Sequence, residues 1–176
     1  MESTGGRPGG SLPPDRDAAV SALFLAHHAR LVGLARLLVD DLPTAEDVVQ
    51  DAFAELYRRW RWLRDPDAAV GYLRTAVTNG ARSRLRRRQV ARGKERPAPG
   101  SAPSAEHLAM DREDHREVVA GVSALPRRQR EVVVLRYYLD LSEAEIANTL
   151  NISKGTVKAH TSRALAALTA TLEHAR

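Results

Sequence analysis

No cysteine occurs anywhere in the 176 residues, which excludes disulfides, thiolate metal sites and cysteine nucleophiles. Aromatic residues are scarce at 5%. That is too few for one large core, so two small helical domains are the better expectation for this length. Met1 to Arg16 holds no apolar run that could serve as a signal peptide, and no later stretch reads as a membrane span. A disordered leader over 1–17 and a cytoplasmic chain without membrane insertion are expected. Glycine-rich phosphate loops, nucleophile elbows and kinase-type motifs are missing too, because Gly5, Gly6, Gly9 and Gly10 all fall in the leader. The histidines His27, His28, His107, His115, His160 and His174 are scattered, with no zinc-like spacing in a convincing helix. The expectation is therefore no metal, no cofactor, no catalytic residue and no enzyme.

What the chain does have is basic charge in particular places. Lysine plus arginine number 27 against 22 acids, and between Arg82 and Arg96 eight basic residues meet a single acid, Glu95. Such a run is either a nucleic-acid surface or a helix end, where cations are favoured by the dipole. Pro97, Pro99, Gly100, Ser101, Pro103 and Ser104 then break all periodicity, which places a flexible linker at 91–111.

Either side of that linker, apolar residues recur at helical spacing. From Ala18, Leu23, Leu31, Leu34, Leu37 and Leu38 line one stripe of a first helix ending near Asp40 and Asp41. Thr44 is placed to cap a second helix, with Glu46 and Asp47 in its first turn, running to Trp60. Its apolar stripe is Val49, Phe53, Leu56 and Trp60, while Asp47, Gln50 and Asp51 share a polar face open to a partner. A third helix runs from Ala68 into Arg88. Trp60 and Trp62, with Tyr72 and Asn79, are of the kind that stack on or bond to unpaired bases; for Trp60 the core is an equal alternative. Further helices are expected at 112–124 and 126–138. The fold class is all-α.

Leu141 to Leu168, LSEAEIANTLNISKGTVKAHTSRALAAL, is the most informative stretch. Ser142 and Glu145 have capping-box spacing, and small Ala147 permits a close helix crossing. Asn151 stands where a left-handed residue is needed, and Ser153 is placed to cap the next helix. Val157 faces inward, leaving Lys154, Thr156, Lys158, His160 and Arg163 to project toward a major groove and its phosphates. These are the local features of a helix-turn-helix.

The chain resembles a group IV, or extracytoplasmic-function, sigma factor of bacterial RNA polymerase. AEDVVQDAFAELYRRW (45–60) and GYLRTAVTNGARSRLRRR (71–88) are similar to the sigma-70 family's second region, and LPRRQREVVVLRYYLDLSEAEIANTLNISKGTVKAHTSRAL (125–165) to its fourth. The resemblance implies a domain over 18–90 that binds the polymerase clamp and the −10 element, and a helix-turn-helix domain over 112–172 that docks on the flap and reads the −35 element. It implies that Asp47, Gln50 and Asp51 meet the clamp helices of the largest subunit. Trp60, Tyr72, Asn79, Arg82 and Arg86 would serve the −10 element, and Lys154, Gly155, Thr156, Lys158, His160 and Arg163 the −35 element. Ser83 stands where many members have aspartate, and Ala159-His160 where a serine-arginine pair is frequent, which bears on promoter sequence rather than class. No further C-terminal domain is expected, since the sequence runs little beyond the helix-turn-helix. Control by an anti-sigma factor, by transcription or by proteolysis stays open. A stand-alone helix-turn-helix regulator is the rival reading, and it requires tight specific DNA binding without polymerase.

Overall fold

The structure, a computed structural model, describes residues 16–39, 41–62, 65–94 and 113–174, in which all regular structure is helical. The expected leader falls almost wholly outside these residues, and so does most of the expected linker. Helix α1 (Arg16–Leu38), α2 (Leu42–Arg59), a 3₁₀ turn (Trp60–Trp62) and α3 (Pro66–Lys94) form an N-terminal bundle. Helices α4 (Glu113–Ala124) and α5 (Arg127–Val133), a π-turn (Val134–Tyr138), α6 (Glu143–Leu150) and α7 (Lys154–His174) form a C-terminal one.

Helical periodicity explains the N-terminal core. Leu31, Leu34, Ala35 and Leu38 of α1 meet Ala45, Val49, Ala52, Phe53 and Leu56 of α2, and Ala69, Leu73, Val77 and Ala81 recur every fourth residue along α3. Gly80 sets the closeness of the α2–α3 crossing, because a Cβ there would stand 2.9 Å from Cγ1 of Val48. Helix α1 corrects one expectation: by length and composition it is apolar enough to cross a membrane. The reason is that its outer faces also carry apolar residues, Phe24 and Leu25 among them, while the inner stripe is buried against α2 and α3.

Two boundaries differ from expectation. Helix α3 runs to Lys94, past the expected end at Arg88 and through most of the basic run, as arginine and lysine favour helix. Helix α2 begins at Leu42 and is capped by Asp41 rather than Thr44, with Asp41 accepting the Thr44 amide at 2.8 Å. Pro43 sits in the first turn, where its missing N–H costs nothing. Arg88 reaches back from α3 to Asp41 at 2.6 Å and to the Thr44 hydroxyl at 2.7 Å, tying the two helices together. Burial pushes the Asp41 carboxyl up, but the Thr44 amide and hydroxyl and Arg88 outweigh it and hold it at about 2, below the usual 3.8.

A carboxyl depressed in the folded state adds stability that is present above its unfolded value and lost as pH falls toward the folded one. Asp41→Ala should therefore cost about 1 kcal/mol at pH 6, the usual worth of a cap. Urea melts of both proteins between pH 6 and pH 2 should show the gap shrinking below about pH 4; a constant gap would count against the cap's ionised role.

In the C-terminal bundle Val132, Leu135, Ile146, Leu150, Val157 and Ala164 form the centre. The helix expected over 126–138 loosens at its end into the π-turn, where the Leu139 amide reaches back to the Val134 carbonyl. Asp140 follows with φ 56°, a left-handed position that aspartate tolerates better than most residues. Arg136 fixes the turn by donating to the Leu141 carbonyl at 2.8 Å. The two bundles touch, α1 and α3 packing on α4, the π-turn and α6.

Candidate nucleic-acid and polymerase interfaces

The helix-turn-helix forms from local signals. The Ser142 hydroxyl accepts the Glu145 amide, and Glu145 accepts the Ser142 amide at 2.8 Å, completing the capping box. The Ser142 amide and then its hydroxyl hold the Glu145 carboxyl below its usual range. Asn151 ends α6 in the left-handed conformation, φ 52° and ψ 54°. Ser153 accepts the Thr156 amide at 3.1 Å and so caps α7.

The cap sends α7 off with Val157 and Ala164 buried against Ile146 and its neighbours, and with Lys154, Gly155, Lys158 and Arg163 exposed. Thr156 is half-buried, its hydroxyl 2.9 Å from that of Ser153. Lys158 has only a loose surface partner, Glu143 at 3.7 Å. His160 turns the other way. It is half-buried on the inward flank, and its Nδ1 is buried without a hydrogen-bond partner among the described residues. The spacing carried that signal, since position 160 lies three residues after Val157 and four before Ala164.

On α3, Tyr72, Asn79 and Arg86 follow one another every seven residues; Asn79 and Arg86 are exposed, Tyr72 is half-buried and packs against the edge of the core, and Arg82 flanks them. Burial raises the Tyr72 hydroxyl above its usual range, so it stays protonated and able to donate. Asn79 accepts from Arg82 at 3.0 Å. Trp60 is a correction: it is only 6% exposed and belongs to the core, so its ring is not available to stack on a base. Its place in the stripe Val49, Phe53, Leu56 and Trp60 already pointed inward. The side chain of Trp62 lies outside the described residues.

The third surface is on α2, where Asp47 and Asp51 are exposed a turn apart with exposed Gln50 between them. Arg84 of α3 reaches this face, 3.0 Å from Asp51 and 3.8 Å from Asp47. That arginine belongs to the site's electrostatics; in the sequence it is one of the basic run, and its pairing with the acidic face is not visible there because the two residues are 33 apart along the chain. Among the described residues no group of three or more His, Cys, Asp or Glu could hold a metal ion.

The described residues thus form an all-helical N-terminal bundle with an acidic face and a basic helix, followed by a capped helix-turn-helix, the class of two-part helical protein with a DNA-binding motif at one end. Residues 23–90 match the model of sigma-70 region 2, and residues 115–168 that of sigma-70 region 4. The RNA polymerase sigma-E factor of Streptomyces coelicolor is 36% identical over 139 residues, 78% of this chain and 77% of that protein. The ECF RNA polymerase sigma factor SigM of Mycobacterium tuberculosis is 33% identical over 150 residues, 85% of this chain and 75% of the relative. Among solved structures, the sigma factor RpoE of Bartonella quintana, in complex with the anti-sigma factor NepR, superposes with TM-score 0.73 at 22% identity, covering 89% of this chain and 97% of that one. CnrH, in complex with the cytosolic domain of CnrY, gives 0.67 at 26% identity, covering 92% and 91%. The chain belongs to the extracytoplasmic-function group of the sigma-70 family: it is an RNA polymerase sigma factor that directs promoter-specific initiation and is not itself an enzyme. Binding to core RNA polymerase follows from that membership, and the stand-alone regulator reading falls away.

Proposed function

We propose the following division of labour within that established role. Helix α7 lies in the major groove of the −35 element, with Lys154, Lys158 and Arg163 on phosphates or base edges, Thr156 beside them, and Gly155 letting the backbone approach a phosphate. Tyr72, Asn79, Arg82 and Arg86 on α3 hold the opened −10 element, the arginines following the phosphates. The α2 face of Asp47, Gln50 and Asp51 meets the clamp helices of the polymerase's largest subunit, and the C-terminal domain, 112–172, docks on the flap of the second-largest. The observation that carries this reading is the segregation along α7, where Val157 and Ala164 are buried while Lys154, Gly155, Lys158 and Arg163 stay exposed at a capped helix start.

Two domains that each bind weakly become selective once polymerase fixes their separation, because the second contact is then intramolecular. The protein acts where polymerase and promoter are, in the cytoplasm and on the nucleoid when engaged. An anti-sigma factor completes the proposed set of partners, supported by the fold shared with RpoE, whose structure holds NepR.

Run-off transcription over a salt series tests the α7 assignment. Lys158→Ala and Arg163→Ala should each lower promoter use and reduce the slope of log activity against log salt by about 1, as loss of one phosphate contact does. Normal transcription by both variants would move the recognition face elsewhere.

A further inference from the structure

An open groove of about 270 Å³ runs between α2 and α3, on the side that carries Asp51. Its floor is small and apolar, made by Val48 and Ala52 of α2 with Ala76 and Gly80 of α3. Val48 and Ala52 are buried, whereas Ala76 and Gly80 are only half-buried, so the floor meets solvent. Apolar surface left in water is unfavourable and is the natural seat of a partner's apolar side chain.

Two long side chains border the groove and could lie across it, but both are drawn to its rim. Glu55 is held by Arg58 at 2.9 Å and by Arg59, which keep its carboxyl below the usual range. Arg84 is held by Asp51 at 3.0 Å. Exposed ion pairs of this kind add little stability, yet they decide where the side chains lie and leave the floor clear. Arg87, one turn beyond Arg84, also lines the groove; it is exposed and makes no ion pair or hydrogen bond among the described residues.

The groove and the α2 face share Asp51, so together they form one patch: the carboxylates of Asp47 and Asp51, a shallow apolar depression and the Arg87 guanidinium. Nucleic acid fits this patch poorly, because Asp47, Asp51 and Glu55 border it and repel phosphates. A protein helix with a basic residue, an aliphatic knob and an acidic residue matches it in both shape and charge. The groove positions on α3 lie one residue round the helix from Asn79 and Arg86, which gives α3 one flank for a protein partner and the next for the promoter.

We propose that this groove belongs to the polymerase contact: the clamp helix that meets Asp47 and Asp51 seats an aliphatic side chain between α2 and α3 and presents an acid to Arg87. Ala76, Gly80 and Arg87 then set which polymerase surface fits, while Glu55 and Arg84 are positioning residues that hold the groove open. The proposal rests on the assignment of the α2 face to the clamp and adds α3 to that contact.

Binding of the full chain to core RNA polymerase, without DNA, tests it. Ala76→Leu fills the groove with the chain's own side chain, and leucine is a good helix former. Arg87→Glu reverses an exposed charge and leaves the core untouched. Each should weaken binding about tenfold or more, the Arg87 variant most at low salt. Because the chain has no cysteine, Ser83→Cys on the groove rim can carry a benzophenone, and irradiation should join it to the polymerase's largest subunit. Circular dichroism shows whether Ala76→Leu keeps its helices; if it does not, Arg87→Glu and the crosslink decide. Parent-like affinity in a folded groove variant, or a crosslink that misses the largest subunit, overturns the proposal. The pair Asp47→Lys and Asp51→Lys, measured alongside, separates the two failures. If that pair loses affinity while the groove variants bind as the parent does, the groove's role falls and the α2 assignment stands. If the pair also binds as the parent does, the assignment fails and the groove's role fails with it.

Discussion

Asp47→Lys combined with Asp51→Lys should lower affinity for core RNA polymerase about 100-fold or more while leaving the helical bundle folded. Both acids are exposed on α2, so neither is needed for the core. A reversed charge on each would meet a basic partner with repulsion, which costs several kcal/mol at a close interface. Arg84 complicates the reading, since it approaches both carboxylates and would be repelled locally by two lysines. The neutral pair Asp47→Asn and Asp51→Asn separates the effects, losing attraction without adding repulsion, and should fall between parent and reversal. Competition binding to core polymerase at low and high salt measures all three, with circular dichroism as the folding control. Equal affinities across the set would remove the α2 face from the polymerase interface.

Ile146→Ala should cost about 2–5 kcal/mol, the range for truncating a large aliphatic side chain in a packed core. Ile146 is fully buried where α6 meets α7, so its loss opens a cavity beneath the recognition helix. Small domains hold about 5–15 kcal/mol in total. The C-terminal bundle would thus lose a large share of its stability, and transcription that depends on the −35 element should fail first on warming. Urea unfolding followed by circular dichroism should show a lower midpoint with little change in slope. A loss below about 1 kcal/mol would mean that the α6–α7 contact is not where this domain's stability resides.

The helix-turn-helix was legible residue by residue. Ser142 with Glu145, Asn151 in the left-handed turn, Ser153 as cap and Val157 facing inward all stand as their sequence spacing implied. Each of those signals is complete within three or four residues, so no distant contact is needed to interpret it. Trp60 and His160 have equally local signals, their positions on apolar stripes; for Trp60 the core is one of two readings of the sequence, whereas His160 is grouped there with the outward-facing residues of its helix. The Asp41 cap was missed for a related reason. Thr44 and Asp41 are both capping residues, and the Thr44 amide and Arg88 favour the aspartate.

By itself the sequence determined the helices, the apolar stripes, and the caps and turn of the helix-turn-helix, because backbone bonding and side-chain periodicity act over a few residues. Only the tertiary structure decided which arginines are engaged. Arg84 on the acidic face of α2, Arg88 on the α2 cap and Arg82 on Glu131 look alike in a basic run, and their carboxylate partners lie 33, 47 and 49 residues away. Ion pairing over such separations depends on which helix faces are brought together, and that is settled by burial of the apolar stripes rather than by the charges themselves.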